Sequence, residues 1–206
     1  MTKNERPEPR AVDDAAILAA AARLFREKGF ERTTLREVAR AAGILPGSLH
    51  YRYPAKEELL LELMRRAVSL LTASVRAAID ECRDPVERIR QALRAHLRLL
   101  LSGDDMVFTL LFEWRSLRGP ARAEMVRLRD QYEALWEGLL YAAAGTGRVR
   151  AGVDLQLLRL LGFGAVNWVA TWYAPGGRMS HEQIADAFWA YLGLGVLKPS
   201  AERGAA

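Results

Sequence analysis

Ser48, His50, Tyr51 and Arg52 place four hydrogen-bonding side chains within five residues. On a short helix whose buried stripe is Ile44, Leu49 and Tyr53, all four point largely outward. A short helix with donors and acceptors on its free face suits reading of the DNA major groove. Other chemistry has little support. His50, His96 and His181 lie far apart, and none pairs with Cys, Asp or Glu at metal-ligand spacing, so no metal site is expected. Gly145-Thr146-Gly147 lacks the preceding strand and the later glycine of a dinucleotide loop, and there is no nucleophile elbow. Glu113 beside Arg115 reads as a pocket's polar contact or an ion pair rather than a catalytic pair. The chain is expected to be no enzyme and to carry no cofactor.

The elements that must position the recognition residues are also legible. Thr34-Leu35-Arg36-Glu37 is a capping box, and Leu35, Val38, Ala39 and Ala42 follow helical spacing until Gly43 ends the helix. Pro46 suits the first turn of the next helix. Upstream, Asp13 or Asp14 caps a helix to about residue 28, with Ile17, Ala21, Leu24 and Phe25 packed under the motif. Downstream, a helix over 56–82 carries Leu59, Leu60, Leu63, Val68, Leu71, Val75 and Ile79, too many for a small N-terminal bundle alone. Further helices are expected from Asp84-Pro85-Val86-Glu87 to 101, over 106–117, from about 120 to 144, over 155–173, and over 184–197 behind the Ser180-His181-Glu182-Gln183 box. The expectation is an all-α chain of nine helices, with a DNA-binding domain at 1–55 and a second helical domain at 56–206. The polar, proline-bearing stretch 1–10 reads as a disordered arm.

Of 206 residues half are apolar, and the net charge of +5 is spread over the chain. Charge alone therefore does not name a nucleic-acid partner. Cys82 is the only cysteine, which excludes an internal disulfide and suits a reducing cytosol. No run approaches the roughly 20 apolar residues of a membrane span. A cytoplasmic protein without a membrane partner is expected.

Thr33-Thr34-Leu35-Arg36-Glu37-Val38-Ala39, Gly43 to Tyr53, and Lys56-Glu57-Glu58-Leu59 resemble the helix-turn-helix of TetR-family transcriptional regulators. This resemblance, with Leu24-Phe25 and Gly29-Phe30 upstream, covers about the first quarter of the chain. It implies operator contacts by Thr34, Leu45, Gly47, Ser48, His50, Tyr51, Arg52 and Lys56, with Thr34 and Lys56 holding phosphates. It also implies a homodimer on a near-palindromic double-stranded operator and a small-molecule effector in the second domain. Leu45, His50 and Ala55 depart from the family's usual Ser or Thr, Tyr, and Ser or Asn, which leaves two helices without a side-chain cap.

All five tryptophans follow residue 113. Phe108, Phe112, Glu113, Arg115, Trp136, Phe163, Asn167 and Trp168 are the candidates for an effector pocket between facing helices. Glycines and alanines recur on the last two helices, either for packing within the chain or for a subunit interface with Gly164, Trp172, Ala187 and Tyr191. The segment from Asn167 to Gly177 resembles the acyl-CoA-responsive TetR subgroup governing fatty-acid, phenylacetate or sterol degradation. That implies an acyl-CoA effector, with Arg159, Arg178, Arg115 or Arg118 as candidates for the CoA phosphates. A repressor sensing multiple drugs or aromatic compounds, or a helical small-molecule carrier, are the alternatives.

Overall fold

The computed structural model describes residues 13–199, so the expected arm at 1–10 lies outside the described residues. Nine α-helices span the described chain: α1 (Asp14–Lys28), α2 (Leu35–Ala41), α3 (Pro46–Arg52), α4 (Lys56–Asp80), α5 (Pro85–Leu100), α6 (Asp105–Glu113), α7 (Gly119–Ala144), α8 (Leu155–Trp172) and α9 (His181–Val196). The architecture is all-α, with one isolated antiparallel bridge between Val149 and Leu197.

The starts follow their capping side chains. Asp13 accepts from the amide of Ala15 at 2.9 Å, and Asp84 from Val86 and Glu87 at 2.8 and 3.0 Å. Thr34 with Glu37 and Ser180 with Gln183 form complete capping boxes. α3 and α4 begin at Leu45 and Ala55 with no side-chain cap. Gly43 takes φ 69°, the left-handed conformation that lets the chain turn between α2 and α3. One boundary differs from the periodicity. α6 stops at Glu113 and a 3-10 turn, Trp114–Ser116, follows. Leu117 is extended and fully buried, so the chain leaves the helix to place that side chain in the core.

α4 packs against α1, α5, α6 and α7. Its stripe Leu59, Leu60, Leu63, Met64, Val68, Leu71, Val75 and Ile79 is buried throughout. The core runs without interruption from Ile17 and Phe25 through α4 to Leu97, Leu139 and Val166. α5 and α9 are joined by Asp186, which accepts from both Arg90 and Arg94.

Candidate DNA-binding face and ligand cavity

Leu49 of α3 and Tyr53 just past its end are buried, and Ser48, His50, Tyr51 and Arg52 are exposed. Gly47, Ser48, Tyr51 and Arg52 border one open concavity. Tyr51 is 91% exposed and Leu45 75%. Three expected contacts are placed otherwise. Arg52 forms an ion pair with Asp14 at the start of α1, Nε to Oδ1 2.6 Å, so its guanidinium is drawn back toward the neighbouring helix. The Thr34 hydroxyl donates to Glu37 Oε2 at 2.9 Å and accepts from the Glu37 amide, and so is committed to its own capping box. Glu37 also takes a 2.8 Å hydrogen bond from Lys28. That bond, followed by those from Thr34, holds the Glu37 pKa down at about 2.

Lys56 is the most firmly engaged within the chain. Its ammonium donates to the carbonyls of Phe30 at 2.7 Å, Thr33 at 2.9 Å and Glu31 at 3.2 Å. It also lies 4.2 Å from the Phe30 ring centroid. All three donors are used, so Lys56 bolts the α1–α2 turn to the start of α4.

α4, α5, α6, α7 and α8 enclose a cavity of about 230 Å³. Its walls are mostly apolar, including Val68, Leu71, Leu100, Met125 and Phe163. His96 and Asn167 supply polar groups, and Trp114, Arg129 and Glu133 lie at the rim. His96 is 3% exposed. Its Nε2 lies 3.2 Å from Asn167 Oδ1 and its Nδ1 2.8 Å from the Tyr132 hydroxyl. Because the amide oxygen can only accept, the ring carries its proton on Nε2 and Nδ1 accepts from Tyr132. Burial lowers the His96 pKa to about 4, against the raising effect of Asn167. Burial likewise raises the Tyr132 pKa. A second cavity of about 60 Å³ lies beyond His96 and Phe163, which border both, and is lined by Trp136 and Val166.

Of the expected pocket residues, Phe163 and Asn167 line the larger cavity and Trp136 the smaller. Phe108, Phe112, Glu113 and Arg115 do not line either. α6 turns Val107, Leu110 and Leu111 inward, with Trp114 continuing that stripe. Residues 108 and 112 are rotated about 100° from it. Phe108 sits instead under the Arg26 guanidinium of α1, 4.8 Å from the ring centroid, with the Phe112 ring tilted against it at 4.5 Å. Glu113 accepts from Ser116. Trp168 is corrected too: it is 65% exposed, one residue past the inward-facing Asn167. It shares the outer face of α8 and α9 with Leu157, Leu160, Leu161, Trp172, Tyr191 and Leu194, all more than half exposed. Gly164 is exposed and Ala187 half-buried.

His96, Tyr132 and Trp114 were missed in the sequence. His96 has a readable signal, since it interrupts the apolar stripe Ile89, Leu93, Leu97 and Leu100 of α5. Among the described residues no helix is long and apolar enough to cross a membrane.

Residues 17–63 match the family model of bacterial regulatory proteins, tetR family. Residues 82–196 match that of the tetracyclin repressor-like C-terminal domain. The chain belongs to the TetR family of transcriptional regulators. It is similar to the HTH-type transcriptional repressor KstR2 of Mycobacterium tuberculosis, at 29% identity over 88% of this chain and 92% of that protein. It is also similar to the fatty acid metabolism regulator protein of Bacillus subtilis, at 23% identity over 82% and 86%. Among solved structures, AibR in complex with isovaleryl coenzyme A and operator DNA matches with TM-score 0.78 and 30% identity, over 88% of this chain and 96% of that one. The first of these matches spans α1 to α3 and the start of α4, and the second spans α5 to α9.

Proposed function

We propose that this chain is a dimeric repressor of a near-palindromic operator, released by an acyl-CoA thioester whose acyl part enters the cavity among α4 to α8. The observation that carries this reading is the double role of α6. One face of α6 walls the cavity through Val107, Leu110 and Leu111. The other is tied to α1, because Arg26 donates to Gly103 O at 2.6 Å and Asp105 Oδ1 at 2.9 Å and covers Phe108. A ligand that shifts α6 thereby moves the helix on which the DNA-binding unit is built. Such a ligand changes operator affinity only by as much as it prefers one arrangement over the other.

Recognition is assigned to Ser48 and Tyr51, with Arg52 joining them when it leaves Asp14, and with Gly47, Leu45 and His50 at the edges of the contact. The apolar outer face of α8 and α9 supports pairing of two copies. Gly162, Gly164 and Gly195 meet no other atoms within 4 Å of an added Cβ, so packing within the chain does not require them. Close approach of a second copy does explain them. The similarities to KstR2, to a fatty acid regulator and to AibR with bound isovaleryl coenzyme A favour an acyl-CoA over other apolar effectors.

The test is fluorescence anisotropy of a labelled promoter fragment from beside the gene, titrated with protein and then with effectors. Release by an acyl-CoA but not by CoA is the expected result. Release only by aromatic or cationic drugs would transfer the protein to a multidrug-sensing role, and failure to bind any such fragment would overturn the repressor reading.

A further inference from the structure

We propose that Arg115, Arg122 and Arg129, gathered on Trp114 at the rim of the larger cavity, form an anion-binding collar that holds the phosphate-bearing headgroup of the effector outside the cavity. The inference rests on the acyl-CoA reading above and names the residues that would distinguish such a ligand from a free fatty acid. Three guanidinium carbons lie 5.5, 4.9 and 5.1 Å from the Trp114 ring. Three like charges around one indole repel each other, and ring contacts at an exposed site offset that only in part. Among the described residues, Arg115 and Arg122 make no ion pair with a carboxylate, and Arg129 has one at 3.4 Å to Glu133. Glu133 is committed to Arg159, with which it forms a more buried pair.

This pairing removes Arg159 from the candidates for a phosphate, because its guanidinium is already neutralised beside the cavity. Arg115 and Arg122 instead leave the collar with an excess of positive charge next to an apolar opening. Trp114 and Arg129 belong to the cavity lining themselves, which joins the two features into one site. Size supports the division. An apolar cavity of roughly 150 Å³ takes a benzene-sized group, so about 230 Å³ accommodates an acyl group but not a nucleotide as well. An apolar tail joined to a multiply charged phosphate headgroup fits both parts, and guanidinium forks suit phosphate oxygens.

The experiment is calorimetric titration of the full chain, wild type and the double variant Arg115→Gln/Arg122→Gln, with three ligands of one acyl length. These are the acyl-CoA, the phosphate-free acyl-pantetheine, and the acyl lysophosphatidate. Both arginines are exposed, and matching thermal midpoints establish that the variant is folded. The expected result is an acyl-CoA affinity roughly tenfold or more weaker in the variant, with acyl-pantetheine binding unchanged. Equal loss for both ligands, or no loss for either, overturns the collar. Wild-type protein that binds acyl-pantetheine as tightly as acyl-CoA overturns it as well. Tighter, arginine-dependent binding of the lysophosphatidate supports the collar while overturning the thioester reading. Wild-type protein that binds none of the three overturns the thioester reading and the collar with it.

Discussion

Replacing Lys56 by Met separates a structural bolt from a DNA contact. Methionine keeps an unbranched stem and removes the three donors. The carbonyls of Phe30, Glu31 and Thr33 then lose bonds of 2.7, 3.2 and 2.9 Å, and the Phe30 ring loses its cation. A hydrogen bond to a charged group contributes about 1.5 to 3 kcal/mol net, and three that share one ammonium are far from additive. A loss of about 3 kcal/mol is therefore expected, against a total stability of roughly 5 to 15 kcal/mol. For a chain of this size that lowers the thermal midpoint by about 6 to 12 °C. Circular dichroism melts measure the midpoint, and operator titrations at several salt concentrations measure the number of phosphates contacted. The folded variant should retain the wild-type slope of log affinity against log salt. An unchanged midpoint together with a slope reduced by about one would refute the reasoning, since that is the signature of a lost phosphate contact.

His96 gives stability a pH dependence of known sign. Its native pKa is about 4 and its ordinary value 6.5, so between these limits the unfolded chain binds the proton and the native chain does not. Stability is then full above about pH 6.5 and falls as pH drops toward 4, by about 3 kcal/mol over the whole window. Urea midpoints from pH 7 to 5 should decline in the wild type and stay nearly flat in His96→Gln. Arg26→Ala, which unties α6 from α1, should leave effector affinity within about twofold while reducing effector-driven release from the operator. Equal release in wild type and variant, measured by anisotropy, would exclude that route. Leu161→Arg with Leu194→Arg places charge on the exposed face of α8 and α9. This pair should yield monomers by sedimentation, with operator binding lost in parallel, and a stable dimer carrying both changes would move the interface elsewhere.

The sequence by itself determined the helices and their order, because local chemistry decides where a helix starts and which stripe it buries. Thr34 and Glu37, Asp84, and Ser180 and Gln183 cap where their spacing said they would, and Leu49 and Tyr53 are buried under an exposed Ser48 and Tyr51. Membership of the family was legible for the same reason, since the motif is a contiguous stretch. The partners of individual side chains were not. Lys56 and Arg52 are spent on Phe30, Thr33 and Asp14, groups 23 to 38 residues distant, and no local pattern encodes those bonds. The cavity was legible only in part. Phe163 and Asn167 face it from α8, whereas aromatic character alone pointed to Phe108 and Phe112; the rotation of α6 hands Phe108 to Arg26 of α1 and leaves Phe112 exposed beside it. Which stripe of an apolar helix meets a cavity and which meets a neighbour depends on the packing of five helices at once. For that reason the His96 network and the arginines around Trp114 were decided only by the tertiary structure.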